Sequence, residues 1–404
     1  EPCEYDEIGY SEVESKEHIK LAKKAARKSI VLLKNNGILP LDVTKLNSIG
    51  VIGPNANSRA SLIGNYHGTS SRYVTVLEGI QKVCDKNDIR VHYSDGSHLF
   101  KERVENLAFD DDRISEAVIV AKNSDVVVLV VGLDETLEGE EGDTGNSYAS
   151  GDKETLNLPA SQMRMIETLE AVGKPIILIN MTGSAMDLAF AKNNDTYGAI
   201  LQAWYPGCMG GKAIADILFG KISPSGKLPV TFYNSLDELP DFEDYSMKGR
   251  TYKYMENPAQ YPFGFGLTYA NVEMTGASLE NEENAKSLIK SDNVYDGSIS
   301  VRANIKNTSG IKTDEVVQVY IKNHNSEYAV RNHSLCGFKR VGLDAFEEKE
   351  VTINIPSRAF MVVNEEGKYI QDGDKFTLYV GVSQPDEVSV SLCKVNPLKI
   401  EINL

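Results

Sequence analysis

The sequence predicts an α/β domain followed by an all-β domain, and a change in the spacing of apolar residues carries this prediction. In the first part of the chain, short apolar runs alternate with stretches of helical periodicity. Strands that alternate with helices indicate a mostly parallel sheet with helices on both faces. After about residue 285, apolar and polar residues alternate, which is typical of the half-buried antiparallel strands of a β-sandwich. The runs that predict the parallel strands are 49–52, 89–93, 126–131, 176–180 and 199–204.

The first predicted element is an amphipathic helix. It begins after Ser15, an N-cap candidate, and its apolar residues recur at helical spacing as far as Leu33, where Asn36-Gly37 follows as a stop signal. Two further helices are predicted from the spacing of Ile114, Ala117, Val118 and Ala121, and of Ala213, Ile214, Ile217 and Leu218.

The boundary between the two domains is predicted at a polar stretch, residues 278–292, which contains Glu280-Asn281-Glu282-Glu283-Asn284 and is interpreted as a linker. We therefore expect the α/β domain at 15–277 and the β-sandwich at 293–404. The alternating segments that predict the sandwich strands are 299–305, 317–321, 351–355, 376–380 and 388–392.

The composition excludes several classes of partner. With 404 residues and a formal net charge of −16, the chain would repel nucleic acid and anionic membranes. The five cysteines are scattered without a C-x-x-C spacing, so the sequence predicts neither a disulfide framework nor a zinc site, and it favours a reducing, cytoplasmic location. No apolar run is long enough for a membrane span.

The sequence also lacks the motifs of nucleotide-binding sites and of Ser-His-Asp hydrolases. The turn after the first parallel strand, 50–55, is not G-x-G-x-x-G, and the sequence contains neither a P-loop nor a G-x-S-x-G elbow. A nucleotide site and a Ser-His-Asp hydrolase are thus both disfavoured. We expect no cofactor and no metal, since the acidic stretch described next lacks the spacing of a calcium loop.

An acid-rich loop follows the apolar run 126–131. Acids at the carboxyl end of a buried parallel strand lie where ligands bind in open α/β sheets. Their mutual repulsion can keep one of them protonated, as a general acid requires. The alternative is a solvated surface loop, which is the commoner fate of such sequences. The six acids, which fall within ten positions, are Asp134, Glu135, Glu138, Glu140, Glu141 and Asp143.

Aromatic and small polar residues cluster at 64–73 and 204–207. Aromatic faces stack on the C–H faces of neutral sugars, and small polar groups bind the hydroxyls. Tyr66, His67 and Arg72 are therefore candidates for substrate binding. A packed loop is the alternative interpretation, above all for His67 and Arg72 considered singly.

Several motifs, in order, resemble those of the C-terminal two domains of glycoside hydrolase family 3. The stretch 28–41, KSIVLLKNNGILPL, is similar to the segment that follows the family's barrel domain. Motifs of the α/β domain that match are IGPNA at 52–56, YPG at 205–207, PSGKLPVT at 224–231 and YPFGFGLTY at 261–269. Those that resemble the family's fibronectin type III-like module are EVVQVY at 315–320, LCGFKR at 335–340 and YVG at 379–381.

The resemblance implies part of a retaining exo-β-glycosidase that acts on a β-linked oligosaccharide or aryl glycoside. In the family, an aspartate of an N-terminal (β/α)8 barrel is the nucleophile and a glutamate of the following domain is the general acid/base. The matching loop puts the acid/base at Glu138, with Glu135, Glu140 and Glu141 as alternatives.

The barrel itself is the main departure from the family pattern, because it needs on the order of 250 residues and nothing before Ser15 could supply it. Residues 1–14 resemble the connector that leaves the barrel. The resemblance therefore implies a barrel in the same precursor or in a second chain. Terminal β-linked xylose and glucose both remain open as the substrate sugar. The alternative function is a non-catalytic carbohydrate-binding or structural fragment that lacks the barrel.

Overall fold

The computed structural model describes residues 3–103, 109, 111–140, 153–290 and 297–404. The chain divides into two compact units, Glu1–Gly226 and Lys227–Leu404. We call the first the α/β unit and the second the β-sandwich unit. Within the described ranges, no helix combines the length and the apolar composition needed to cross a bilayer.

The α/β unit alternates helices and strands as the sequence predicts, and each of the five predicted runs contains a strand. Residues 3–14 precede its first long helix and form two short 3-10 turns, Glu4–Glu7 and Tyr10–Glu12. The regular elements are α1 (Lys16–Ser29), β1 (Val31–Asn35), β2 (Ser48–Ile52), α2 (Val76–Cys84), β3 (Arg90–Ser94), α3 (Asp112–Lys122), β4 (Val126–Gly132), α4 (Ala160–Glu170), β5 (Ile176–Met181), α5 (Ala189–Lys192), β6 (Tyr197–Gln202) and α6 (Gly210–Leu218).

These strands form one six-stranded sheet in the order β1-β6-β5-β4-β2-β3. The pairs from β6 to β3 are parallel, and β1 pairs antiparallel with β6 at the edge. Every residue of β4, β5 and β6 is buried, which is expected when helices cover both faces. Since β4, β5 and β6 are parallel neighbours, the loops that follow them lie at one edge of the sheet.

The first helix is shorter than predicted. The Ser15 hydroxyl accepts a hydrogen bond from the His18 backbone N–H, which confirms the N-cap, but the helix ends at Ser29 rather than near Leu33. The apolar residues that follow were wrongly assigned to the helix. They form β1, where Val31, Leu32 and Leu33 are all buried against β6, and a run buried on both faces is compatible with either periodicity.

The described residues of the β-sandwich unit form the elements α7 (Thr251–Tyr254), β7 (Val272–Leu279), α8 (Glu282–Lys290), β8 (Ser298–Asn307), β9 (Thr313–Asn323), β10 (Ser334–Leu343), β11 (Glu348–Pro356), β12 (Val362–Val363), β13 (Tyr369–Ile370), β14 (Lys375–Gly381), α9 (Glu387–Cys393) and β15 (Leu398–Asn403). The main strands are antiparallel and form two sheets, of order β10-β9-β14-β15 and β11-β8-β7, and β12 and β13 form a small pair. Alternate residues of β8 and β11 point into one apolar core, as the period of two predicts.

The division between the units differs from the predicted one. Residues 227–277, predicted as part of the α/β domain, group with the β-sandwich because Lys227 forms a 2.7 Å ion pair with Glu315 and the Gln318 amide donates to the Gly264 carbonyl over 2.9 Å. The described part of the predicted linker, 278–290, is also structured. It holds the end of β7 and helix α8, whose Ala285 and Ile289 are buried in the sandwich core.

One predicted strand is a helix. The alternating segment 388–392 lies in α9, where Asp386 caps the N-terminus by accepting a hydrogen bond from the Ser389 backbone N–H. An N-cap aspartate followed by a short segment satisfies the first helical N–H groups locally, and a five-residue alternation is too short to exclude this outcome.

Candidate active site

The acidic loop leaves the sheet at Gly132, the last residue of β4. Gly132 has φ of +142°, and the Gln162 side chain accepts from its N–H over 3.0 Å and donates to its carbonyl over 2.7 Å. The next residue, Leu133, donates its backbone N–H to Met181 over 2.9 Å. The start of the loop is therefore fixed to both β5 and α4.

A tight turn then directs Glu138. The buried Asp134 carboxylate accepts hydrogen bonds from the Thr136 backbone N–H at 2.9 Å and from its hydroxyl at 2.6 Å. The Asp134 carbonyl accepts from the N–H groups of Leu137 and Glu138, at 3.0 and 2.9 Å. With Asp134 buried and Leu137 packed inward, Glu138 is left half-buried at the edge of the sheet.

Three donors from two other strand ends meet at the Glu138 carboxylate. After β5, the Gly183 backbone N–H donates to Glu138 Oε2 over 2.7 Å, and the Ser184 hydroxyl donates to Oε1. After β6, the Tyr205 hydroxyl also donates to Oε2. The loops after three adjacent parallel strands thus converge on one carboxylate, which is the arrangement expected at this edge of an open sheet.

The groups around Glu138 have shifted pKa values of their own. Burial raises the pKa of the Tyr205 phenol, and the negative charge of Glu138 raises it further, so Tyr205 stays protonated and remains a donor. Burial lowers the pKa of the Lys153 ammonium, against an opposing attraction from Glu138. Lys153 Nζ donates to the Ala185 carbonyl over 2.6 Å, so this cation is held beside the same loop.

The aromatic loop at 64–73 meets the acidic loop at two predicted residues. His67 Nε2 lies 2.9 Å from Glu135 Oε2, and Tyr66 donates its hydroxyl to the Glu140 carboxylate. A hydrogen bond to the Gly68 carbonyl, followed by the contact with Glu135, raises the pKa of His67. Tyr66 and His67 therefore share the site with two of the alternative acids.

Arg72, by contrast, is not brought to this place. Arg72 forms a 2.6 Å ion pair with Glu78 in the first turn of α2. Glu141 lies outside the described residues. Among the residues that are described, no group of three or more His, Cys, Asp or Glu side chains could hold a metal ion.

Sequence reasoning missed Gly183, Ser184 and Lys153, and it singled out Tyr205 only as a member of an aromatic cluster and of the YPG motif at 205–207. The available signal was positional, since Gly183 and Ser184 follow the apolar run at 176–180 and Tyr205 follows the run at 199–204. Residues just beyond parallel strands are expected to meet only when the strands are neighbours, and the order of strands was not known from the sequence.

Comparison with protein families identifies both parts of the chain. The model described as "Glycosyl hydrolase family 3 C-terminal domain" matches residues 30–269, and that of the "Fibronectin type III-like domain" matches residues 315–384. The first match ends at residue 269, near the predicted limit of the α/β domain at residue 277. The division between the compact units lies earlier, at Gly226.

Individual relatives include enzymes named for two sugars. A β-xylosidase of Formosa agariphila is 31% identical over 91% of this chain and 48% of its own length. A periplasmic β-glucosidase of Salmonella typhimurium is also 31% identical, over 94% of this chain and 50% of its own. The chain thus spans about half the length of these curated relatives.

Solved structures show the same fold. A family 3 exo-β-xylosidase in complex with a xylobiose aziridine activity-based probe has a TM-score of 0.81 and 26% identity, and the match covers 100% of this chain and 50% of that one. A β-glucosidase from Erythrobacter marinus has a TM-score of 0.79 and 29% identity, covering 97% of this chain and 51% of that one. Since a single family model matches more than half of its residues, the chain belongs to glycoside hydrolase family 3.

Proposed function

We propose that this chain supplies the general acid/base, Glu138, to a retaining exo-β-glycosidase that releases terminal β-linked xylose or glucose. The observation that carries the proposal is the Glu138 carboxylate itself. It is half-buried at the carboxyl edge of the sheet, it is held by donors from two neighbouring loops, and the aromatic loop with Tyr66 and His67 lies against the adjoining acids.

In the proposed reaction, a barrel outside these 404 residues contributes the aspartate nucleophile, in the same precursor or as a second chain. The aspartate attacks the anomeric carbon while Glu138 transfers its proton to the departing glycosidic oxygen, so that the C–O bond breaks and a glycosyl-enzyme forms. Glu138, now ionised, then takes a proton from the water that hydrolyses this intermediate.

The test is Glu138→Gln in the complete enzyme that contains this chain. Without a proton donor, turnover of a substrate with a poor leaving group should fall by about 10²–10⁴-fold. A nitrophenyl glycoside should lose less in the first step, because its leaving group needs no proton, and azide should restore the second step by replacing the deprotonated water. Unchanged turnover in Glu138→Gln would overturn the assignment.

The matched control is Glu140→Gln, which neutralises an exposed acid two residues further along the same loop. It should keep most of the activity. A larger loss in Glu140→Gln than in Glu138→Gln, together with azide rescue, would move the acid/base to Glu140.

The proposal names two candidate sugars, xylose and glucose. Relatives named as β-xylosidases and as a β-glucosidase match this chain at similar identity, and the two sugars differ by one hydroxymethyl group, for which a pocket discriminates by about 1–3 kcal/mol. Rates with aryl β-xyloside and aryl β-glucoside rank them directly.

The chain spans about half of its relatives' length, which keeps a second candidate open. Without the barrel, this polypeptide would act as a non-catalytic carbohydrate-binding or structural part. Calorimetric titration of the isolated chain with xylose and glucose tests the binding role, and the absence of heat for both sugars would count against it.

A further inference from the structure

We propose that Tyr205 is the positioning residue of the acid/base, and that its hydroxyl fixes Glu138 Oε2 so that the transferable proton is carried on Oε1. The proposal rests on the proposed function, since it assigns a supporting role to a residue of the same site. Tyr205 acts through Glu138, to which its hydroxyl donates a hydrogen bond.

The backbone on either side of Tyr205 is fixed. Ala203 donates its N–H to the Asn180 carbonyl over 2.8 Å, and Gly207 donates to Leu62 over 2.7 Å. Between them, Trp204 has φ of +58°, and its indole N–H donates to the Ser29 carbonyl over 3.0 Å. A non-glycine residue in the left-handed region is held there by its surroundings, so this segment is built to present Tyr205 in one direction.

The ring of Tyr205 is also closely bordered. A Cβ atom added at Gly64 would lie 2.9 Å from Tyr205 Cδ2, and one added at Gly183 would lie 2.9 Å from Cε2. Both glycines therefore allow backbone to approach the same edge of the ring more closely than any side chain would permit. The ring has little room to move away from Glu138.

The hydrogen-bonding groups around the carboxylate distinguish its two oxygens. Oε2 faces the Gly183 N–H, which can only donate, together with the Tyr205 hydroxyl. Oε1 faces the Ser184 hydroxyl, which can donate to a carboxylate or accept from a carboxylic acid. A proton on Oε2 would oppose the Gly183 N–H, so Oε1 is the oxygen that carries it.

The charges that face this pair come from three loops. Asp134 and Glu138 follow β4, Lys153 precedes α4, and Tyr205 follows β6. Burial, and then the charges of the two carboxylates, raise the pKa of the Tyr205 phenol and keep it protonated, and the charge of Glu138 also acts on the Lys153 ammonium. Removal of the Tyr205 hydroxyl takes a donor away from Oε2 without changing the number of charges.

The first test uses the chain alone and is independent of catalysis. In Tyr205→Phe, Glu138 Oε2 loses a donor, so the side-chain carboxyl ¹³C signal of Glu138, assigned with Glu138→Gln, should change its chemical shift. The matched control is Tyr197→Phe, because the Tyr197 hydroxyl also donates to a carboxylate, that of Glu170, over 2.6 Å in the same unit. It should leave the Glu138 signal where it is.

The second test uses the complete enzyme. Tyr205→Phe should lower kcat by about tenfold for a glycoside with a poor leaving group, with little change in KM, and should move the high-pH limb of the rate profile to higher pH. An unchanged Glu138 carboxyl signal and an unchanged limb in Tyr205→Phe, or equal changes in Tyr197→Phe, would overturn the proposal. Failure of the proposed function would instead appear as undiminished turnover in Glu138→Gln, whatever the carboxyl signal shows.

Discussion

Strand β4 of the α/β unit and strand β11 of the β-sandwich unit bury their residues differently. In the α/β unit, β4 is buried at all seven positions from Val126 to Gly132, whereas in the β-sandwich unit β11 alternates between buried and more exposed positions. A strand covered on both faces can meet solvent only at its ends, so polar groups accumulate in the loop beyond it. A strand with one free face distributes its polar groups along its length.

This difference explains why three loops of the α/β unit meet at one carboxylate. Parallel neighbours end at the same edge, and the loops after β4, β5 and β6 bring Glu138, Ser184 and Tyr205 together. Antiparallel neighbours end at opposite edges, so consecutive loops of the sandwich are separated by the length of a strand. The comparison teaches that a site is assembled where strands share a direction.

Gly132→Ala should cause the largest loss of stability, and the loss should be confined to the α/β unit. A Cβ at this position would lie 2.0 Å from the Met181 carbonyl oxygen, at φ of +142°, so the α/β unit should lose about 5 kcal/mol or more. Denaturation followed by fluorescence measures this unit alone, because the single tryptophan is Trp204. Amide exchange in β9 and β14 should remain slow.

The control is Gly173→Ala, where φ is +74° but nothing lies within 4 Å of the added atom. Only the left-handed backbone is penalised there, by about 1–2 kcal/mol. Equal losses in the two variants would contradict the role given to the close approach of Gly132 and Met181.

The second prediction concerns buried charges, which both units contain. In the sandwich unit Glu315 is paired with Lys227, and their side chains are only 3% and 10% exposed. Glu315→Ala leaves the Lys227 ammonium nearly buried and without its carboxylate partner. The free energy of unfolding should fall by about 3–5 kcal/mol. The loss is measured by exchange of the amides in β9.

Asp216→Ala is the counterpart in the α/β unit. The partners Arg27 and Lys212 keep side-chain exposures of 22% and 27%, so they can turn toward water and the cost should be nearer 2 kcal/mol. A larger loss for Asp216→Ala than for Glu315→Ala would show that exposure of the remaining partner does not set the cost.

The third prediction tests periodicity directly by alanine substitution of adjacent residues. Val127→Ala and Val128→Ala, both buried, should each destabilise the α/β unit by about 2 kcal/mol. In β11, Ile353→Ala should cost about 2–5 kcal/mol and the exposed neighbour Asn354→Ala less than about 0.5 kcal/mol. A loss of stability at only one of the two valines would contradict the difference in burial between β4 and β11.

The smallest effect is a pH dependence confined to the sandwich unit. Burial lowers the pKa of His333 below its ordinary value of 6.5, although its hydrogen bond to Gln384 opposes this. His333 therefore binds a proton more readily in the unfolded chain than in the folded unit. The free energy of unfolding should fall as pH decreases through and below 6.5. Tyr252, Tyr320, Lys322 and Asp386 also face this histidine.

His333→Gln should remove that part of the slope, measured by amide exchange between pH 7 and 5. An unchanged slope would assign the pH dependence to other groups. The exposed His18 offers a control variant, His18→Gln, in the other unit, and it should leave the sandwich slope intact.

The sequence predicted the class and order of both folds because periodicity reports how many faces of an element are buried. It failed at residues 31–35, where three consecutive buried residues suit a helix or a strand, and at 388–392, where capping by Asp386 outweighed alternation. The compact units divide the chain at Gly226 rather than at the predicted limit of residue 277, and the contacts of Lys227 and Gly264 with the sandwich join residues far apart in sequence.

For the site, the sequence located the acidic loop and ranked Glu138 first, on the position of a strand end and on a family resemblance. The structure places Tyr66 and His67 against acids of this loop, whereas Arg72 pairs with Glu78, six residues away on α2. The donors to Glu138 could not be identified, since hydrogen bonds between loops depend on which strands are adjacent.

The two glycines beside Tyr205 have a consequence for conformational entropy. A tyrosine that is free to rotate would have to be immobilised each time its hydroxyl engaged the carboxylate, whereas the backbone at Gly64 and Gly183 restricts this ring during folding. The entropy is lost once, in the folding of the α/β unit, and not again each time the hydrogen bond forms. Substituting either glycine would therefore change the orientation of the Tyr205 hydroxyl, although no ionisable residue of the site would be replaced.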